Sequence, residues 1–339
     1  MSKLMKSLVI RQAKDLQIRW VEVPGVSEGW VRVKIQYAGI CGSDIHYYHD
    51  GANGAFAIRE PLIPGHELSG TVDHDPSGRL KTGTPVTFHP ATFGDMTRGI
   101  EDMPHLWPNG AYLGSASTWP HTQGGMCEYI AVRSEMIRVL PEGLSLKRAS
   151  LSEPLAVGLH AINIAGGVAG KRVLVCGAGP IGLLAAAAAI IEGAETVTVT
   201  DVLDEALERA QLLGVSDTIN VLQHDLSEQA YDTVLECSGV PASINAAVNA
   251  VRRGGTIVQV GMMGPQPQEI ILAPIISKEI RYLGSFRFND EVDKAIELLK
   301  RHDVFETVIT HIIEADQAVD AFAIAQDSRR SGKVVIEVW

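Results

Sequence analysis

Cysteine is scarce in this chain. Four occur in 339 residues, at positions 41, 127, 176 and 237. No two stand at a metal-finger spacing, and a chain of this length needs no disulfide framework to hold a core. The default for each is a small buried hydrophobe, and only Cys41 has company that argues otherwise. Basic clusters are missing as well. Lys and Arg total 29 against 40 Asp and Glu, a net charge of −11 with no basic stripe, so nucleic acid and anionic membrane are poor partners. Long apolar runs are absent too. The most apolar, "IGLLAAAAAII", is about half a membrane span, and "MSKLMKSLVI" is too short in its apolar part for a secretory signal. A soluble, cytoplasmic protein is expected. No internal repeat or low-complexity tract interrupts the chain.

What is present suits two ordinary domains, with 46% hydrophobic and 20% charged residues. The first 150 residues are rich in short β-like runs ("SLVIRQ", "VRVKIQYAGI", "SGTVDH", "TPVTFHP", "CEYIAV", "MIRVL") punctuated by Gly and Pro. From about Leu151 the pattern changes. "KRVLVCG", "TVTVTD", "YDTVLECSG" and "TIVQVGMMG" read as strands. "PIGLLAAAAAIIEG", "DEALERAQLLG" and "PASINAAVNAVRRGG" read as helices between them. That alternation predicts a doubly wound parallel sheet covered on both faces. The fold class is therefore α/β with two domains. The expected division is 1–150 as a β-rich unit, 151–285 as the α/β unit, and 286–339 returning to the first.

"GAGPIG" (Gly177, Gly179, Pro180, Ile181, Gly182) follows a strand and opens a helix, the context that a dinucleotide fingerprint requires. Gly177 permits the tight turn, Gly179 lets backbone approach a pyrophosphate, and Gly182 lets helix and strand pack closely. Phosphates would sit at the helix N-terminus, where free N–H groups and the dipole favour anions. Asp201 ends the next strand. A carboxylate there accepts hydrogen bonds from a ribose and repels a 2′-phosphate, so NAD is expected over NADP.

A second constellation lies earlier. "GICGSDIHYYHDG" places Cys41 just after a strand, with Ser43, Asp44, His46 and Tyr47 close behind. "PLIPGHELSG" sets His66 and Glu67 side by side in a turn. Glu153, in "LSEPLAVGLHA", sits where the chain enters the α/β unit and is placed to face the same cleft. A thiolate, an imidazole and a carboxylate are ligand types of a catalytic zinc with an open position. His74, His89, His105, His224, His302 and His311 carry no such company and are read as surface or satisfied core residues.

Taken together, "GICGSDIHYY", "PGHELSGTV", "EPLAVGLHA", "GAGPIGLLA", "ECSGVPASI" and "VQVGMMG" resemble the zinc-dependent medium-chain dehydrogenases, polyol branch, over essentially the whole chain. The resemblance implies a GroES-like β-domain around a catalytic zinc, a Rossmann domain, and an active site between them. It implies Cys41, His66 and Glu67 as zinc ligands, with Glu153 binding directly or through water. Asp44 is placed to hydrogen-bond the His66 ring. Ser43 and His46 match proton-relay positions, and Tyr47 and Arg287 match residues lining a polyol pocket. Val260, Gly261 and Ser285 join the fingerprint as cofactor residues. The implied reaction moves a hydride from a secondary alcohol of a sugar acid or polyol to NAD. Arg287, or more weakly His121, would pair with a substrate carboxylate. A non-catalytic descendant would be expected to lose ligands or relay residues, and the zinc-free quinone reductases of this fold lack the Cys and the His–Glu pair. Relatives are homodimers or homotetramers, and "TIVQVGMMG" is a candidate for a sheet continued between subunits.

One stretch fits neither pattern. "ATFGDMTRGIEDMPHLWPNG" (91–110) has no helical or strand period, an unusual length of irregular chain inside a domain. In many relatives this lobe carries four cysteines, spaced C-x2-C-x2-C-x7-C, around a structural zinc. Here Phe93, Met96, Gly99 and Trp107 occupy those positions. One zinc per chain is therefore expected, and Phe93, Met96, Met103 and Trp107 are expected to form an apolar cluster in place of the second.

Overall fold

The computed structural model describes residues 3–264 and 266–339. Two sheets organise it. The first has seven strands, in the order Ile137–Val139, Pro85–Phe88, Glu67–His74, Trp30–Gly39, Lys333–Glu337 and Ile309–Glu314, with Tyr129–Arg133 also pairing with Trp30–Gly39. Alternation in Trp30–Gly39 turns Val31, Val33 and Ile35 into the core, where they meet Leu68, Val72, Val86, Phe88 and Val334. Strand Lys333–Glu337, from the far end of the chain, pairs antiparallel with Trp30–Gly39. One register detail shapes the site. Gly39 stands opposite Glu67, and a Cβ on Gly39 would lie 2.0 Å from Glu67 Oε2. Only glycine leaves room for that carboxylate over the strand.

The second sheet has six parallel strands, ordered Asp217–Asn220, Thr196–Asp201, Arg172–Cys176, Tyr231–Glu236, Val251–Gln259 and Arg281–Gly284. Its inner strands are largely buried on both faces because helices cover both. The alanines of helix Pro180–Ile191 are buried against that sheet and against helix Ser152–Ile164, where small side chains permit close approach. Residues 286–308, expected with the return to the first unit, pack differently. Phe288, Val292, Ala295, Leu299 and Phe305 share the core of the parallel sheet, because helix Glu291–Arg301 lies against helix Ser152–Ile164. "TIVQV" is an interior strand, and the edges belong to Asp217–Asn220 and Arg281–Gly284. Among the described residues no helix is long and apolar enough to cross a membrane.

Candidate active site

Cys41 caps helix Gly42–Asp50 from an extended conformation, and Gly51 ends that helix with φ +71. Asp44, at the third helical position, accepts the Cys41 N–H with Oδ2 and the Gly65 N–H with Oδ1, both at 3.0 Å. This corrects the expected bond to His66. The carboxylate is spent on two backbone donors, one at a helix start and one in the turn before His66, and His66 Nδ1 is buried with no hydrogen-bond partner. Asp44 therefore joins the two ligand-bearing loops by their backbones. Burial holds its carboxyl above the usual range.

Cys41, His66 and Glu67 each bring one ligand atom within 4.8 Å of the others. Among the described residues they are the one such group of three His, Cys, Asp or Glu. Burial alone would lower the His66 pKa, but the Cys41 sulfur, Glu153 and Asp44 outweigh it and push it up to about 10. An anionic pocket around an imidazole with a free buried nitrogen is what a divalent cation would fill, and a thiol, an imidazole and carboxylates are zinc's ligand types.

Two residues of this site went unnoticed in the sequence. Lys333, 2% exposed, places Nζ 2.6 and 2.7 Å from the two Glu67 oxygens and 3.0 Å from the Ile40 carbonyl. Its one sequence signal is a lysine at the head of the apolar run "KVVI". Tyr112 donates its hydroxyl to Glu153 Oε1 at 2.5 Å, and its ring stands edge-on to His66 with centroids 5.4 Å apart. Burial, then the nearby carboxylate, raises the Tyr112 phenol well above its ordinary pKa, so it stays a donor. Glu153, in the first turn of helix Ser152–Ile164, is buried beside them.

Arg287 lies over the Tyr112 ring at 4.0 Å and near the Phe286 ring at 4.9 Å. Among the described residues no carboxylate stands within ion-pair distance of it, although it is half-buried. It lines a cleft of about 550 Å³ with Phe56, Phe93, Trp107, Trp119 and Phe286. His121 does not reach this cleft. Its Nε2 accepts the Arg59 N–H at 2.9 Å and its Nδ1 donates to the Thr118 carbonyl at 3.0 Å. Both ring nitrogens are used inside the loop, so His121 is a structural residue and not a carboxylate partner. Tyr47 is buried, its hydroxyl accepting the Ala116 N–H at 3.0 Å. Ser43, His46 and Tyr47 follow at helical spacing on Gly42–Asp50, with Ser43 half-buried and His46 exposed beside Asp50.

At the parallel sheet the turn has the shape its glycines suggest. Gly177 has φ +96, Gly179 has open space where a Cβ would be, and a Cβ on Gly182 would lie 1.9 Å from the Gly177 carbonyl oxygen. Pro180 and Ile181 open the helix that follows. Asp201 accepts the Ala178 N–H at 2.7 Å, and the Val202 and Leu203 N–H groups at 2.7 and 3.1 Å. It is thus bound to the glycine turn as well as placed at the strand end. Val260 and Gly261 follow strand Val251–Gln259, and their N–H groups both reach the Glu236 carbonyl at 2.8 Å. The hydroxyl of Ser285, just past the edge strand, is buried without a partner. An open glycine and an orphaned hydroxyl along the C-terminal edge of a parallel sheet fit a dinucleotide.

The lobe 91–110 departs from expectation. Phe93, Met96 and Met103 are 44%, 70% and 41% exposed, so no apolar cluster forms. Without helical or strand period, nothing brings these side chains to one face. Polar bonds close the lobe instead. Asn109 donates to Asp95 at 2.7 Å, Trp107 Nε1 to the Ile100 carbonyl at 2.8 Å, and the Asp95 N–H to the Pro108 carbonyl at 2.9 Å.

Comparison with known proteins agrees with this geometry. The family described as "Alcohol dehydrogenase GroES-like domain" matches residues 27–142, and "Zinc-binding dehydrogenase" matches 180–301. Sorbitol dehydrogenase 1 of Saccharomyces cerevisiae is 33% identical over 338 residues, 93% of each chain. L-idonate 5-dehydrogenase (NAD(P)(+)) of Escherichia coli K12 is 36% identical over 273 residues, 79% of each. The solved structure of L-idonate 5-dehydrogenase from Escherichia coli superposes with a TM-score of 0.94 at 31% identity, covering 99% of both chains. With a GroES-like sheet, a Rossmann sheet and a Cys–His–Glu trio beside the cleft, the chain belongs to the zinc-dependent medium-chain alcohol dehydrogenase family, within its polyol and sugar-acid dehydrogenases.

Proposed function

We propose that this enzyme oxidises a secondary alcohol of a sugar acid, best L-idonate to 5-ketogluconate, with NAD as hydride acceptor. Arg287 carries the reading. A half-buried guanidinium with no carboxylate within ion-pair distance among the described residues, lining a cleft near Tyr112 and Glu153, is a ready partner for a substrate carboxylate. A neutral polyol such as D-sorbitol or xylitol is the second reading, favoured by Ser117, Thr118 and Asn109 in the same lining.

Cys41, His66 and Glu67, with Glu153 close by, would hold one zinc per chain, which supplies a lowered hydroxyl pKa, while the nicotinamide supplies a hydride acceptor. The remaining roles belong to side chains. Ser43 takes the hydroxyl proton and His46, exposed next to Asp50, releases it to solvent. Lys333 balances the Glu67 charge and Tyr112 fixes the direction of Glu153. Gly177, Gly179 and Gly182 cradle the pyrophosphate, and Asp201 meets the adenosine ribose. We also assign a homodimer or homotetramer. The open edge Arg281–Gly284 follows a segment that exposes Ile271, Leu272 and Ile276, which supports association there.

The test is a substrate panel of L-idonate, D-sorbitol, xylitol, L-threonine and galactitol, each with NAD and NADP. The reading expects the highest kcat/KM for L-idonate with NAD. Turnover of neutral polyols alone would remove it.

A further inference from the structure

Six residues, Ser285–Asp290, join the edge strand to helix Glu291–Arg301, and Arg287 holds φ +53 among them. That left-handed conformation is uncommon for a residue with a side chain and needs its neighbours to fix it. The next residue but one is tied in three directions. The Asn289 carbonyl accepts from His89 Nε2 at 2.5 Å. The Asn289 N–H donates to Glu291 Oε2 at 2.8 Å. The Asn289 side-chain amide donates to the Asp102 carbonyl at 3.2 Å.

Each tie leads to a different part of the chain. His89 follows strand Pro85–Phe88, just before the 91–110 lobe. Its Nδ1 accepts the Ala91 N–H at 3.3 Å, so the proton sits on Nε2 and points at Asn289. The His89 ring lies edge-on between Phe93 and Phe288, at 5.3 and 5.0 Å. Glu291 Oε1 is held by His160 at 2.8 Å and Asn163 at 3.0 Å, both on helix Ser152–Ile164. Asp102 belongs to the lobe itself. None of these bonds involves Cys41, His66, Glu67 or the 177–182 turn.

We infer that His89 and Asn289 are positioning residues that hold Arg287 over Tyr112 and so set the preference for carboxylate-bearing substrates over neutral polyols. The inference rests on the assignment of Arg287 to the substrate carboxylate. A planar guanidinium engages a carboxylate through two parallel bonds only when its direction is fixed. A neutral polyol asks less of it, since one hydroxyl contact tolerates reorientation.

The experiment compares the full-length zinc enzyme with Arg287→Ala, His89→Phe and Asn289→Ala. His89→Phe keeps a ring between Phe93 and Phe288 and deletes the donor to Asn289. Asn289→Ala keeps both backbone bonds and deletes only the tie to the lobe. The readout is kcat/KM for the best sugar acid divided by that for the best neutral polyol, with KM and kcat reported separately. Arg287→Ala is expected to lower the ratio by about 10- to 100-fold, the range for a lost charge-assisted bond. His89→Phe should lower it by about tenfold and Asn289→Ala by about threefold, through the KM of the sugar acid, part of the same charge-assisted range. A uniform loss of kcat on both substrates, or an unchanged ratio, overturns the positioning role. If Arg287→Ala leaves the ratio unchanged, or no sugar acid is turned over, the Arg287 assignment fails and takes this inference with it. If Arg287→Ala lowers the ratio and the other two variants do not, only the positioning role falls. Should His89→Phe fail to fold, Asn289→Ala decides alone.

Discussion

Among the described residues, replacing Lys333 with Met removes the one cation that Glu67 has within ion-pair distance. In the parent, Nζ stands 2.6 and 2.7 Å from the two carboxylate oxygens, and neither side chain is more than 2% exposed. Methionine matches the stem of lysine in volume, so packing changes little. The carboxylate is left buried with no ion-pair partner, with the Cys41 sulfur and Glu153 nearby. Breaking a buried pair from one side costs about 3–5 kcal/mol. For a domain of roughly 200 residues that is a fall in Tm of about 10 °C. The effect should be largest in chelator-treated protein, because a bound divalent cation supplies the missing positive charge. Excess zinc should therefore raise the Tm of Lys333→Met more than that of the parent. The double variant Glu67→Gln with Lys333→Met should recover half or more of the loss, since a neutral amide is far cheaper to bury than an unpaired charge. Calorimetry or urea unfolding of the four proteins, with and without zinc, gives the cycle. A metal-free Lys333→Met within about 1 kcal/mol of the parent, the level of an exposed pair, would refute the reasoning. A double variant no better than the single would do the same.

Four further outcomes are expected. Burial works against the Glu291 carboxylate, but His160, Asn163 and the Asn289 N–H outweigh it and hold its pKa down to about 2. A depressed carboxylate stabilises the fold above its unfolded value and loses that contribution as pH falls through the folded one. Urea midpoints between about pH 4.5 and 2 should therefore fall less steeply in Glu291→Gln than in the parent, and equal slopes would contradict the pairing. Gly182→Ala forces a Cβ to within 1.9 Å of the Gly177 carbonyl oxygen. Titration calorimetry should find NAD binding weakened by more than about tenfold if the turn is displaced. Asp201→Asn keeps an acceptor for the Ala178 N–H yet removes the charge, so the NAD to NADP affinity ratio should drop, and an unchanged ratio would detach Asp201 from the ribose. Elemental analysis should find about one zinc per chain, lost in Cys41→Ser.

The parallel sheet was legible because its signals are local. Apolar strands, an Ala-rich helix opened by Pro180 and glycines at fixed offsets each report their own conformation. The Cys41 and His66–Glu67 segments were legible for the same reason, as ligand types clustered within a few residues. Contacts between distant segments were not. Glu67 meets Lys333 across 266 positions, and Tyr112 meets Glu153 across 41. Nothing in either neighbourhood marks the partner. Asp44 shows the opposite failure. Its closeness to the ligands suggested a bond to His66, but an acidic residue three places after a helix cap is drawn to the backbone N–H groups there. Helix Gly42–Asp50 was hidden because "GSDIHYYHD" is mostly polar, with only Ile45, Tyr47 and Tyr48 turned to the core of the first sheet.

The 91–110 lobe is the instructive mismatch. With no cysteine at 93, 96, 99 and 107, a closed tetrahedral site is not expected there, and an apolar cluster was the expected substitute. The irregular backbone brings Phe93, Met96, Met103 and Trp107 to no common face, so Met96 and Met103 stay largely exposed while Phe93 turns to His89. What holds the lobe is its backbone and its base. A Cβ on Gly94 would stand 1.8 Å from the Pro108 carbonyl oxygen, so the two limbs of the lobe touch directly. At the base, Phe93 meets His89, Asp102 holds Asn289, and His105 stands edge-on to His160 at 4.8 Å. Those contacts reach the segment that carries Arg287 and the helix that carries Glu153. A metal would make such a lobe rigid on its own account. Here its order is shared with the wall of the cleft, since Phe93, Pro104, Leu106 and Trp107 line the space that Arg287 faces. A lobe anchored this way is free to differ in sequence at its tip while its base stays bound to the substrate side of the enzyme.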